Sequence, residues 1–435
     1  MKHGGIVAAA IDVLSDMEAR HRPASEALRD WGVSHRFAGS GDRAAIGNLV
    51  FDALRSRASI VWRMGDDTPR ALALGAYAFA WDVGCERLEV AFAADRHSPE
   101  PPTDREKIAL RTSNLDEAPD WVRGDYPEWL APGFKDAFGE DAAEEGAALA
   151  ARAPVDLRVN LLKSTRDKAM KALARVEPVE TPLSPVGIRI AAQRGPVRQP
   201  HVESEAGYKK GWFELQDEGS QLAALLTGAA PGQQVADICA GAGGKTLALA
   251  AAMQNKGQVY AWDADRHRLA GIHERLQRAG VRNAQVREAG NADVLADLAG
   301  RIDLALVDAP CTGTGTWRRR PDTKWRVSEK ALADRKAEQA AAQSLAAPLV
   351  KSGGRLVYVT CSVLPEENDG QVAAFLAANP EFAAVPAPDT VAASPLADTA
   401  KARLSDPALA TKYGLQLTPR RTGTDGFYVA VLNRR

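Results

Sequence analysis

From about residue 216 the chain settles into short apolar runs separated by helical stretches, and this alternation limits the possible folds more than any other feature. QQVADIC (233–239) precedes GGKTLALAAAM, and QVYAWD (258–263) precedes DRHRLAGIHERLQRAG. NAQVREAG and IDLALVDAP follow, then the long helical SEKALADRKAEQAAAQSLAAPLV and the run RLVYVTC (355–361). NDGQVAAFLAAN reads as another helix and FYVAVLN as a closing strand. Such alternation predicts an α/β domain with a Rossmann-like, doubly wound, mostly parallel sheet. Ligands of these sheets sit beyond the carboxyl ends of the strands. The residues just past each apolar run are therefore the ones to read for chemistry. The Ala/Pro-rich stretch 383–410 interrupts the pattern and is expected to be a flexible insertion.

Upstream the texture differs. Between residues 5 and about 95, apolar residues recur at three- and four-residue spacing in IVAAAIDVLSDM, DRAAIGNLVFDALRSRASIVWRM and PRALALGAYAFAWDV, which predicts helices. Asp42 and Pro69 fit helix starts, and DRHSPEPPTD (95–104) fits a turn or linker. Helical character ends near Pro154. VDLRVNLL then reads as a strand, STRDKAMKALARV as a helix and GIRIAA as a strand. This reading gives three domains: a helical one over 1–140, a small α+β one over 141–215, and the α/β domain over 216–435.

The net charge is only −1, so a nucleic-acid partner must be sought in local charge. Arg152 to Lys210 holds twelve Lys/Arg against six Asp/Glu, the excess an RNA-facing surface needs. The four cysteines show neither C-x-x-C pairing nor zinc-ligand spacing, so no metal site is expected. So few cysteines in 435 residues suit a reducing cytoplasm. No signal-like start and no long uncharged apolar window is present, so no membrane association is expected.

Four strand ends carry motifs. DICAGAGGKT (237–246) is a small-residue turn from strand to helix; Cys239 excludes a Walker loop, which needs glycine there. Asp263 ends the next strand, where a carboxylate can accept both ribose hydroxyls of an adenosine-type cofactor. A helix cap is the structural alternative for Asp263 or Asp265. DAPCTGTG (308–315) and TCS (360–362) each place a cysteine just past a strand. A single such cysteine is most often a small buried apolar residue. Two of them on the cofactor side, one after Asp-Ala-Pro, point to chemistry.

Carbon 5 of cytosine is too weak a nucleophile to attack a methyl sulfonium. A thiolate adding to carbon 6 makes carbon 5 enamine-like, and an acid near N3 assists the addition. Free cysteine has a pKa of about 8.5, so the site must be electropositive. Lys245 and the run Arg318, Arg319, Arg320, Lys324 and Arg326 could supply that field. The same run, interleaved with Trp317 and Trp325, suits a nucleic-acid backbone and base stacking.

DICAGAGGKT, DAPCTGTGTWRRRPDTKW and LVYVTCSVLPEEN resemble the signature blocks of the Sun (Fmu) family of RNA cytosine-5 methyltransferases, most closely its bacterial small-subunit ribosomal RNA branch. YPEWL, LRVN, GWFELQDEGSQ and DGFYVAVL extend the resemblance, and GDRAAIGNLVFDALR resembles the family's NusB-like RNA-binding domain. The resemblance implies a class I methyltransferase domain using S-adenosyl-L-methionine, acting on RNA as a monomer. It implies Cys361 as nucleophile, Cys311 as the cysteine that resolves the adduct, and Asp308 beside cofactor and cytosine. Cys239, Ala240, Gly241, Ala242, Gly243, Gly244 and Lys245 match the cofactor loop, and Asp263 the ribose carboxylate. Gly241 and Ala242 stand where the family usually has Ala and Pro. Where the family has an adenine-contacting aspartate, Asn291 is the best match and Asp293 the rival; an amide can still pair with an adenine edge. Transfer RNA as substrate, DNA methylation through Cys311, and a non-catalytic RNA-binding factor are the competing readings.

Overall fold

The computed structural model describes residues 1–435 and divides into two compact units. The first unit comprises Met1–Ala153 with two later segments, Ala192–Gln199 and Trp317–Val327. It is helical, and His3–Arg20, Ala24–Ser34 and Ser40–Arg55 are its longest helices. Ile6, Val7, Ala10, Val13 and Leu14 face the core at helical spacing and meet Ile46, Leu49, Val50 and Ala53. Asp42 lies inside its helix, where its carboxylate accepts the Gly39 N–H (3.0 Å). Pro69 opens the later helix Pro69–Gly75 behind the Thr68 cap.

The second unit holds two sheets. Strands β1 (Val155–Val159), β2 (Val179–Glu180), β3 (Gly187–Ile190) and β4 (Phe213–Leu215) form an antiparallel sheet in the order β2-β3-β1-β4. Leu157, Val159, Ile188, Ile190 and Phe213 make its core with Ala169 and Leu173. The eight strands of the larger sheet are β5 (Gln234–Asp237), β6 (Gln258–Ala261), β7 (Ala284–Val286), β8 (Ile302–Asp308), β9 (Val350–Thr360), β10 (Phe382–Ala384), β11 (Leu415–Leu417) and β12 (Phe427–Arg434). Their order is β10-β12-β9-β8-β5-β6-β7, with β11 also paired to β12. Strands β9, β8, β5, β6 and β7 are parallel; β10, β11 and β12 add antiparallel pairs, so the sheet is mixed.

Both faces of the sheet are covered. Leu304, Leu306, Val357 and Val359 enter one core, while Ala305, Val307, Leu356 and Tyr358 enter the other. A strand buried on both sides needs apolar residues at successive positions, which explains the unbroken runs in the sequence. Strand β5 pairs with β6 on one side and β8 on the other, so the chain order reverses there, the point at whose carboxyl end sheets of this kind bind ligands.

The stretch 383–410 is not a flexible insertion. Its first residues complete β10, and the helices Ala387–Ala393 and Asp398–Leu404 follow. Ala387 and Val391, then Ala400 and Leu404, are i, i+4 pairs buried in the sheet core with Leu396 and Leu409. The Ala/Pro composition concealed two short amphipathic helices.

Candidate active site

The carboxyl end of β5 runs into a turn whose shape the sequence sets. Gly241 and Gly243 have positive φ (49° and 85°), and the helix starting at Gly244 follows at once. A side chain on Gly244 would meet nothing within 4 Å, so the backbone there borders open space. Asp263 lies just past β6. Its two carboxylate oxygens accept the Gly241 N–H (2.8 Å) and the Asp265 N–H (2.9 Å), and each retains acceptor capacity. The helix-cap role falls to Asp265, which accepts the His267 N–H (2.8 Å). Asn291 begins the turn after β7. Its carbonyl accepts the Trp262 indole N–H (3.1 Å), while its side chain is exposed and accepts the Asp293 N–H.

Lys245 is buried and its ammonium pairs with the Asp308 carboxylate at 2.7 Å. Behind this pair lies Asp237, fully buried. One oxygen accepts the Thr246 hydroxyl (2.7 Å) and the other has no partner. Burial pushes its carboxyl up to about 7 against the lowering effect of the Thr246 bond. Cys239 is half-buried, and burial together with the charges of Asp308, Asp237 and Asp263 pushes its thiol well above the usual range. It is therefore poorly suited to act as a thiolate.

The two remaining cysteines meet. Cys311 follows β8, Cys361 follows β9, and their sulfurs lie 3.3 Å apart, both reduced. Their loops interlock: Gly315 N–H donates to the Cys361 carbonyl (2.9 Å), Val363 N–H donates to the Thr314 hydroxyl (2.9 Å), and Gly426 N–H donates to the Gly315 carbonyl (2.8 Å). A Cβ on Gly315 would stand 2.1 Å from the Gly426 carbonyl oxygen, so only glycine allows this approach. The Cys311 thiol is pushed well above its ordinary value by its hydrogen bond to Cys361, then by burial, then by the charges of Cys361 and Glu367.

Sequence reasoning passed over Glu367, a fully buried carboxylate bonded to both cysteine loops. The signal lay in the block VTCSVLPEEN, six residues after Cys361, but its partners at Thr312 and Gln339 lie far off in sequence. Asp237 was read only as a strand end.

The basic run 318–326 splits. Arg319, Arg320 and Arg326 are exposed, but Arg318 and Lys324 are buried. Lys324 donates to the Arg55 carbonyl (2.8 Å) and Trp325 to the Leu54 carbonyl (2.6 Å). Trp317, 1% exposed and stacked on Phe134, is a core residue, which corrects its reading as a base-stacking platform. The excess in 152–210 divides similarly. Arg152 pairs with Asp52, Arg189 with Asp156, Arg175 with Glu205, and Arg158 is buried. Lys163, Lys168, Lys171, Lys209 and Lys210 stay exposed, with Lys168 and Lys210 lying 4.2 and 5.2 Å from the Trp212 ring centroid.

A family model described as 16S rRNA methyltransferase RsmB/F matches residues 224–433, and an RsmF/B-like ferredoxin-like domain model matches residues 126–198. The probable ribosomal RNA small subunit methyltransferase B of Synechocystis sp. is 32% identical over 313 residues, covering 71% of this chain and 67% of that relative. The chain belongs to the RsmB/F family of 16S rRNA methyltransferases. Its larger sheet is the family's Rossmann-like methyltransferase fold, here mixed. The alignment spans about two thirds of that relative's length. The solved protein PH0851 shares the fold over 99% of both chains, with TM-score 0.71 and 23% identity. NSun6 from Pyrococcus horikoshii, solved with SFG, has TM-score 0.60 and 22% identity over 71% of this chain and 98% of its own. In this chain no helix is long and apolar enough to cross a membrane, and no His/Cys/Asp/Glu group could hold a metal ion.

Proposed function

We propose that this chain methylates carbon 5 of a cytosine in small-subunit ribosomal RNA through a covalent cysteine–cytosine adduct. The observation that carries this reading is the 3.3 Å contact between Cys311 and Cys361 at adjacent strand ends, in the row that also bears the Lys245–Asp308 pair. Two core cysteines would need no such interlocked polar loops around them.

S-adenosyl-L-methionine would supply an electrophilic methyl group. The residues present fit it. The open backbone at Gly244 leaves room for a ligand, and Asp263, its carboxylate fixed by two N–H donors, retains acceptors for two ribose hydroxyls. Asn291 is assigned to the adenine edge, with Asp293 the alternative. The SFG of the NSun6 structure is an analogue of S-adenosylmethionine, which supports use of that cofactor here.

Cys361 bonds carbon 6 of the cytosine, while Asp308, held by Lys245, attends the ring. Carbon 5 then gains the methyl group, a base takes its proton, and the electrons of that carbon–hydrogen bond re-form the 5,6 double bond and expel the Cys361 sulfur from carbon 6, a release step that uses Cys311. In the DNA-type reading Cys311 would be the attacking thiolate, and adduct trapping separates the two assignments. The target base must leave its stack to reach a strand-end thiol. The layout is a NusB-like RNA-binding domain over 1–140, a small RNA-binding domain over 141–215 and the catalytic domain over 216–435, in a cytoplasmic monomer. The exposed lysines around Trp212 and Arg319, Arg320 and Arg326 are assigned to the RNA backbone.

The test is adduct trapping on denaturing gels. Cys361→Ala should bind RNA and cofactor but lose activity by at least about 10³-fold, as when an attacking nucleophile is removed. Cys311→Ala should methylate and then stall as a covalent protein–RNA complex, and the double variant should lose that complex. A stable complex from Cys361→Ala with none from Cys311→Ala would overturn the assignment.

A further inference from the structure

Glu367 has no exposed surface, yet its carboxylate is surrounded by donors from three separate stretches of chain. Oε1 accepts the Thr312 backbone N–H (2.8 Å) and the Gln339 side-chain amide (2.9 Å). Oε2 accepts the hydroxyls of Thr312 and Ser362. Thr312 is the residue after Cys311, and Ser362 is the residue after Cys361. Gln339, from the helix Glu329–Ala346, also donates to the Pro310 carbonyl (2.9 Å), one residue before Cys311. The Glu367 carbonyl in turn accepts the Tyr358 hydroxyl (2.7 Å). A buried carboxylate is costly unless its acceptors are filled, and here the donors that fill them come from both cysteine loops.

We propose that Glu367 is a positioning residue for the methyl transfer: it ties the Cys311 loop to the Cys361 loop, and its charge assigns the proton shared by the two sulfurs to Cys311, leaving Cys361 as the single attacking thiolate. The proposal rests on the cysteine roles given above. Two mechanisms act together. The hydrogen bonds fix the separation of the sulfurs. The negative charge, buried where screening is weak, disfavours a second negative charge at Cys311, one residue from Thr312. The ionisable groups bearing on Cys311 are Cys361, Glu367 and Tyr358. None of them is cationic; the hydrogen bond from the Gly313 backbone acts the other way, easing a negative charge at Cys311, and is outweighed.

Glu367→Gln separates charge from shape. An amide fills the same space, its oxygen can accept from Thr312 and Gln339, and the two hydroxyls can turn to accept from its NH2. The first readout is alkylation of the full chain by iodoacetamide at pH 8, without RNA or cofactor, with each cysteine quantified by mass spectrometry. The wild type should label at Cys361 in preference to Cys311. In Glu367→Gln that preference should fall by about tenfold, with the melting temperature little changed. The second readout is kinetic: kcat should fall in Glu367→Gln while KM for the cofactor holds, and Glu367→Ala should fall further. A merely structural Glu367 would leave the labelling ratio unmoved in Glu367→Gln, and that result, with kcat unchanged, would overturn the proposal. If Glu367→Gln does not fold, the wild type still decides. Cys311 should begin to label only at higher pH than Cys361, and equal labelling across the pH range would equally overturn the proposal. Labelling needs no RNA. A wild type that traps no adduct on 5-fluorocytosine RNA would therefore defeat the cytosine-5 reading while leaving this test intact.

Discussion

Residues 309–316 and 317–327 follow one another without a break, yet they are anchored in different ways: the first by bonds among polar loops, the second by buried long side chains. The first stretch stays at the carboxyl edge of the sheet. Polar bonds hold it there: Thr312 to Glu367, Thr314 to Val363 and Gly315 to Cys361 and Gly426. The second stretch belongs to the helical unit and is held by buried side chains that pack and also hydrogen-bond to backbone carbonyls. Trp317 stacks on Phe134, Trp325 donates to Leu54, and Lys324 donates to Arg55, whose own guanidinium donates to the Arg318 carbonyl (2.7 Å). Polar networks fix atoms in direction, which suits reacting sulfurs; packed aromatics fix a segment in place. A stretch rich in Arg and Trp need not be a nucleic-acid surface, because its side chains can be the anchor of the chain itself.

The largest effect expected on this contrast comes from its aromatic anchor. Trp317→Ala should destabilise the helical unit by about 3–5 kcal/mol, the usual cost of a buried large-to-small change. Thermal unfolding measures this. In the protein that remains folded, the preference of iodoacetamide for Cys361 over Cys311 should be unchanged. A shifted preference would break the distinction between the two stretches.

Next comes the buried cation. Burial lowers the Lys324 ammonium from 10.5 to about 8, partly offset by Asp125, and burial raises Asp125 from 3.8 to about 6. The raised Asp125 keeps its proton longer folded than unfolded, so its contribution to stability falls as pH rises from about 4 to 6. The lowered Lys324 sheds its proton earlier when folded, so its contribution rises as pH climbs from about 8 to 10.5. Between those windows both are charged and each compensates the other. Lys324→Met should therefore cost about 1–3 kcal/mol at pH 7, where Asp125 loses its compensating cation, and less at pH 5, where Asp125 takes up a proton. Adding Asp125→Asn should recover most of the loss at pH 7. Denaturant titrations at the two pH values provide the check; equal losses would refute the coupling.

Smaller effects sharpen the chemical side. Asp263→Ala should weaken cofactor binding by about 1.5–3 kcal/mol, as for hydrogen bonds to a charged group, with stability of the helical unit unaffected. Calorimetry reads this directly. Smallest is the exposed remainder of the basic run. Neutralising Arg319, Arg320 and Arg326 together should make the salt dependence of RNA affinity shallower, by about one unit of slope for each phosphate that these side chains neutralise in the wild type. An unchanged slope would place the RNA elsewhere.

The sequence by itself determined the catalytic sheet and the row of strand ends. Strands β5, β6, β8 and β9 are buried on both faces, so they appear as continuous apolar runs, and a doubly wound topology then gathers whatever follows each run. Asp263, Asp308, Cys311 and Cys361 were legible for that reason: each lies at the end of a strand or within a few residues of it. Tertiary structure decided what local pattern cannot encode. Glu367 owes its importance to Thr312, Gln339 and Ser362, which are distant or unremarkable in the sequence. The helices within 383–410 were hidden because alanine and proline signal a loop by composition, whereas the spacing of Val391, Ala400 and Leu404 becomes meaningful only against the core they cover. Arg318 and Lys324 look like their exposed neighbours in any sequence window. Whether a cation faces water or an internal carbonyl depends on which surface the chain is folded against, and residues 317–327 fold against helices from the start of the chain, far away in sequence.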